Sequence, residues 1–227
     1  MPFFNTNKHG KILYIHIPKT GGSSVEAYFY KHHDFTVRTK PYTIYGYKLP
    51  DFDISAVLGH STLQHCTYQE IVKHSSIFQL HQDDLNECTI IATVRNPYHR
   101  IVSDLFFFEL IRENSTQIEC ENAVTHFLAN GPYKHYTPEW NYDNHRKSQH
   151  EFLYDIDTTK THIIKQEGLT QGMHDLGYVD FDGYENVNRT KTPASKYMDL
   201  LTSVSVQLIN DFYSKDFEIF GYSKISL

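Results

Sequence analysis

Tryptophan occurs once in these 227 residues, cysteine three times, and no apolar run reaches the roughly 18 residues that cross a bilayer as a helix. With the first core strand expected from Ile12, no room remains ahead of it for a signal peptide or membrane anchor. Cys66, Cys88 and Cys120 cannot all pair with one another and show no C-x-x-C spacing. Neither a disulfide framework nor a metal centre is expected from them, and a reducing, cytoplasmic setting is the simplest reading. In that setting the two sequons, Asn114-Ser115-Thr116 and Asn188-Arg189-Thr190, are coincidental. Positive charge is scarce as well: 21 Lys and Arg stand against 27 Asp and Glu, a net charge of −6. Such a chain lacks the long-range field that favours DNA or RNA, which argues against nucleic acid as its main partner. Basic residues gather in the stretches 31–40 and 134–150, where a local groove for an anionic acceptor could form.

Aromatic residues are plentiful, with 17 Tyr and 15 Phe, and hydrophobics make up 40% of the chain. That suffices for one domain over 1–227 with a full core, and for aromatic surfaces suited to an adenine or a sugar. The apolar runs Ile12–Ile17 and Thr89–Val94 predict strands, the second of the unbroken kind buried on both faces of a parallel sheet. Ile54–Leu58 and His162–Lys165 predict shorter strands, and Asp34–Asp53 an irregular surface excursion. Helices are predicted from Gly22 to about His32, over Thr67–Lys73, after the cap Asn96-Pro97, around Cys120–Leu128 and after Glu167. A last helical region opens at Thr192-Pro193, where Tyr197, Leu200, Leu201, Val204, Leu208 and Phe212 recur at helical spacing. Strands alternating with helices predict an α/β fold, a parallel sheet sandwiched by helices with a ligand at the carboxyl ends of the strands.

Two junctions at such strand ends carry chemistry. In the first, Ile12–Ile17 runs through Pro18 into Lys19-Thr20-Gly21-Gly22-Ser23-Ser24, and Val25, Tyr28, Phe29 and His32 continue at helical spacing. A strand, a glycine turn and a helix N-terminus then converge on one point, offering backbone N–H groups, hydroxyls and a lysine to a phosphate or sulfate. A triphosphate P-loop would need G-x-x-x-x-G-K-S/T, with its lysine after the glycines. Here Lys19 precedes Gly21 and Gly22, and the next buried strand ends in Arg95 instead of a metal-binding aspartate. The second junction is Arg95-Asn96-Pro97-Tyr98-His99-Arg100-Ile101-Val102-Ser103. Arg95 offers a planar, permanently charged fork suited to phosphate.

In this order the chain resembles the sulfotransferases that use 3′-phosphoadenosine 5′-phosphosulfate (PAPS), in particular the family related to heparan sulfate 2-O-sulfotransferase. The resemblance implies a three-layer, P-loop-NTPase-like fold with a central parallel sheet flanked by helices. It also implies sulfuryl transfer from PAPS to a hydroxyl, that of a carbohydrate, without a metal. Lys19 would then stabilise the leaving group; Thr20, Gly21, Gly22, Ser23 and Ser24 would hold the 5′-phosphate; Arg95 and Ser103 would grip the 3′-phosphate. Gly59-His60 resembles the element carrying the family's catalytic histidine, making His60 the candidate general base, although Leu58 stands where those relatives have a second histidine. Glu26, one turn beyond Ser23, is the rival base by likeness to other subgroups. The stretch His145–Leu153 resembles the acceptor-side segment, with Arg146 and Gln149 as candidate contacts. Asn188-Arg189-Thr190-Lys191 resembles the loop that closes over the donor, adding Arg189 and Lys191. The ending Asp216–Tyr222 has the look of the family's structural closure. Two other readings stay open: a binding protein that keeps the nucleotide pocket without turnover, and a P-loop kinase or NTPase.

Overall fold

The computed structural model describes residues 3–6, 10–35, 42–43, 46–47, 63–76, 78, 80–131, 144–182 and 194–226. Its strands are β1 (Phe3–Thr6), β2 (Gly10–Ile15), β3 (Asp34–Phe35), β4 (Tyr42–Thr43), β5 (Gly46–Tyr47), β6 (Thr89–Val94) and β7 (Thr161–Lys165). Five of them form a sheet in the order β3-β1-β2-β6-β7, while β4 and β5 pair separately. The three neighbouring strands β2, β6 and β7 are parallel, with Ile15 opposite Ala92 and Val94 opposite Lys165. The expected purely parallel sheet is thus corrected to a mixed one, because β1 runs antiparallel to both β2 and β3. β1 lies ahead of Ile12, the expected start of the first strand, and the Thr6 hydroxyl donates to Gly10 O at 3.1 Å, linking the end of β1 to the start of β2. The predicted strand Ile54–Leu58 lies outside the described residues.

The helices are α1 (Gly22–His32), α2 (Tyr68–Lys73), α3 (Gln82–Glu87), α4 (Pro97–Phe107), α5 (Gln117–Asn130), α6 (Gln149–Phe152), α7 (Leu169–Asp175), α8 (Ser203–Phe212) and α9 (Ser214–Phe220). Their starts follow from side chains able to satisfy orphan N–H groups. Asn96 accepts from Tyr98 N–H with Pro97 at the first position, and Thr67 with Glu70 and Thr116 with Glu119 form capping boxes. Thr116, the last residue of one sequon, is therefore a helix cap. Thr202 caps α8, which divides the expected last helical region into a 3₁₀ stretch, Ala194–Leu200, and two α-helices.

Alternation along the central strands decides which layer each side chain joins. Leu13, Ile15, Ile90, Ala92 and Val94 pack on one face with Ile71 of α2, Leu85 of α3 and Phe220 of α9. Ile12, Tyr14 and Ile91 pack on the other with Val25 and Phe29 of α1 and Met173 of α7. A third cluster, including Ile101, Leu105, Val124, Phe127 and Ile209, binds α4, α5 and α8 together. With both faces covered, the exposed carboxyl edge of the parallel strands is left for a ligand.

Candidate active site

At that edge three loops meet. The loop after β2 reverses direction through Lys19 at φ 62° and Gly21 at φ 90°, and delivers the chain into α1, which no side chain caps. A lysine in the left-handed region is uncommon and here marks a turn imposed by its surroundings. Gly21 is required for its backbone and for space: a Cβ there would sit 3.2 Å from Gln166 Cγ, in the loop after β7, and 3.3 Å from Leu169 Cδ2, at the start of α7. Gly22 is required for space alone, since a Cβ would come within 2.4 Å of His16 Nε2. The loop after β6 is tied to this turn by Arg95 Nη1, which donates to Lys19 O at 3.1 Å. The loop after β7 joins through Glu167, whose Oε1 accepts from Asn96 N–H at 2.8 Å.

The two anion motifs read from the sequence are therefore one structural unit. Lys19 Nζ lies 4.2 Å from the centre of the Phe107 ring, a cation–π contact at the far end of α4. Burial pulls the Lys19 ammonium below the ordinary lysine range, with the charge of Asp104 opposing the shift and that of Arg95 adding to it. Burial likewise lowers Arg95, opposed by Glu167 and Asp104, and its Nε is buried with no hydrogen-bond partner among the described residues. Ser23 and Ser103 are half-buried and Ser24 is buried; Ser24 N–H closes the first turn on Gly21 O at 3.0 Å. Thr20 departs from its expected role, because its hydroxyl turns inward, donating to Ile17 O at 2.8 Å and meeting Thr93 Oγ1 at 2.9 Å. What Thr20 can offer an anion is its backbone.

Other expected positions fall elsewhere. Gln149 is fully buried, and its amide clamps the Arg95 backbone: Oε1 accepts from Arg95 N–H at 2.7 Å and Nε2 donates to Arg95 O at 2.8 Å. An acceptor contact is replaced by an internal strut that fixes the arginine's exit from β6. Arg146 donates through Nη1 to Leu128 O and Ala129 O at 2.9 and 2.8 Å, capping the end of α5. Glu26 is 2% exposed and accepts from His16 Nδ1 at 2.5 Å, with Gln64 Nε2 donating to its other oxygen at 3.4 Å. Its carboxylate serves the helix and the histidine beneath the turn. His60, Arg189 and Lys191 lie outside the described residues.

Several residues of the site were not singled out from the sequence. Arg100, 2% exposed, donates to Pro18 O at 3.1 Å, Lys147 O at 2.9 Å and His145 O at 2.7 Å, riveting the residue before Lys19 to the segment before α6. His16, His65 and His145 form a buried row, with ring centres 4.9 and 5.0 Å apart, running from Glu26 at one end to Asp104 at the other. Composition could not select these among 15 histidines; the repeat spacing inside R-N-P-x-x-R-x-x-S was the one signal for Arg100.

The carboxyl edge of this α/β sheet gathers a lysine, an arginine, a glycine turn and a helix start without a side-chain cap among the described residues, groups of the kind that suit an anion. Residues 2–223 match the Sulfotransferase family, and the chain belongs to that family. It is accordingly a transferase. No curated protein and no solved structure matches it. Among the described residues no helix is long and apolar enough to cross a membrane, and no group of three or more His, Cys, Asp or Glu is placed to hold a metal ion.

Proposed function

We propose that this protein transfers a sulfuryl group from PAPS to an acceptor hydroxyl on a carbohydrate. The observation that carries the reading is the Arg95 Nη1 to Lys19 O bond of 3.1 Å, which joins the two anion motifs into one cradle that a single nucleotide would span. Gly22 and Ser23, at the start of α1, would receive the 5′-phosphate; Arg95 and Ser103 the 3′-phosphate; Arg189 and Lys191 would add further phosphate contacts. Lys19 would meet the charge that grows on the oxygen bridging sulfur and phosphorus, stabilising the transition state more than the ground state. His60 would take the acceptor proton. The hydroxyl and carbohydrate assignment rests on the likeness to the 2-O-sulfotransferase group.

The test is transfer of labelled sulfate from PAPS to a panel of polysaccharides without added metal. The wild type is expected to label at least one acceptor; His60→Ala to bind nucleotide normally yet turn over about 10² to 10⁴ times more slowly; and Lys19→Ala to lose both binding and turnover. Intact turnover in His60→Ala would remove the base assignment. A wild type that binds the nucleotide and labels nothing across broad acceptors would instead make this a binding protein.

A further inference from the structure

Asp104 lies on α4, the helix that opens from the Arg95 motif, and is 1% exposed. Its Oδ1 accepts from His145 Nδ1 at 2.6 Å, while Oδ2 is buried with no hydrogen-bond partner among the described residues. A buried carboxylate left half unsatisfied is costly unless positive charge stands close to it. Among the described residues, the cations on which its charge acts include Lys19 and Arg95, and the arginine's own Nε is also buried without a hydrogen-bond partner there. One turn further along α4, Phe107 carries the Lys19 ammonium and lies parallel to the His145 ring, 5.4 Å away with 7° between the planes. One imidazole therefore holds the carboxylate and backs the aromatic surface on which the lysine rests.

We propose that Asp104 is a positioning residue of the donor cradle: anchored by His145, its second oxygen is the fixed counter-charge that holds Lys19 and Arg95 in place for the nucleotide. This rests on the donor site proposed above. The charged and titratable groups facing the lysine are Asp104 from α4, Arg95 from the end of β6 and, behind Phe107, His145; beyond Arg95 stand Glu167, Tyr222 and His99. Asp104 is the carboxylate among them that opposes the effect of burial on Lys19. Without that negative charge Lys19 loses its proton at lower pH, so anion binding fails earlier on the alkaline side; below that limb the two cations are still charged but no longer held, and the anion is bound less tightly than by wild type.

The experiment uses Asp104→Asn in the full chain, with two readouts. Acylation of Lys19 by acetic anhydride, followed by peptide mass against pH with no nucleotide added, should show a midpoint lower than wild type by about one unit or more. Affinity for 3′-phosphoadenosine 5′-phosphate (PAP) should be weaker than wild type at every pH, and about tenfold weaker still at the alkaline end than at the acidic end, as follows from a one-unit shift. His145→Asn keeps the carboxylate, and should weaken PAP at every pH while leaving the lysine midpoint near wild type. Asp104→Ser replaces the asparagine variant if that does not fold. An unchanged Lys19 midpoint in the uncharged variant, or one uniform factor in PAP affinity at all pH values, overturns the proposal in favour of a purely structural aspartate. Because the acylation midpoint needs no nucleotide, a wild type indifferent to PAP would remove the donor assignment and leave the Asp104 result readable.

Discussion

At the level of single residues, the cradle is shaped by what lies under it. His16 Nε2 occupies the space a side chain at Gly22 would need, and the ring cannot swing aside because Nδ1 is held by the buried Glu26. Gly22→Ala should therefore destabilise the fold by about 1 to 3 kcal/mol, the usual cost of overpacking a buried contact, and weaken PAP binding as the turn shifts. Thermal unfolding and nucleotide titration of the same variant would check both; a variant as stable and as avid as wild type would show that the turn does not rest on His16. Glycine is legible in the sequence as a turn signal, but this reason for it is not, since nothing in the local spacing brings His16 back against the residue six positions later. The same limit hid the fate of Glu26. A glutamate one turn into the helix can face solvent, ligand or core, and only the tertiary arrangement turns it inward.

At the level of elements, arginines with similar sequence surroundings do different work. Arg100 joins the loop after β2 to the segment before α6 by three bonds to carbonyls, those of Pro18 and His145 buried and that of Lys147 partly so. Arg146 caps the last turn of α5 by bonds to two carbonyls, of Leu128 and Ala129. Replacing Arg100 with Met should cost about 3 kcal/mol or more, because the carbonyls are left unpaired, and should lower PAP affinity together with stability. Arg146→Ala should cost about 1 kcal/mol and leave PAP affinity unchanged. Denaturant titration with a parallel binding measurement separates the two; equal loss of affinity in both variants would mean that the α5 end also shapes the cradle. Strand and helix positions near the site were legible because apolar runs and caps are local signals: Thr89–Val94, Gly22–His32 and the Asn96-Pro97 start are where periodicity places them. Strand β1 was not, since Phe3–Thr6 is too short to show alternation. Gln149 was misplaced for another reason, as its neighbourhood marks the right region of the site without telling an internal strut from a surface contact.

At the level of the whole molecule, the net charge of −6 sets a condition on any anionic ligand. Binding must come from local geometry, not from the long-range field, and the mixed sheet supplies that geometry by ending its parallel strands on one edge. The order of lysine and glycines along the chain is enough to tell this edge apart from a triphosphate loop. The joining of Lys19 to Arg95, residues 76 apart in sequence, required the strands to be laid side by side. The central claim is that this joined cradle recognises a nucleotide carrying a 3′-phosphate. The most direct measurement is calorimetric titration of wild type and Arg95→Ala with PAP and with adenosine 5′-phosphate, which lacks that group, in the presence of EDTA. Wild type should prefer PAP by about 2 to 3 kcal/mol, the worth of a charge-assisted contact, and Arg95→Ala should erase most of that preference. Equal affinity of wild type for the two nucleotides, or selective binding of ATP that depends on magnesium, would contradict the account.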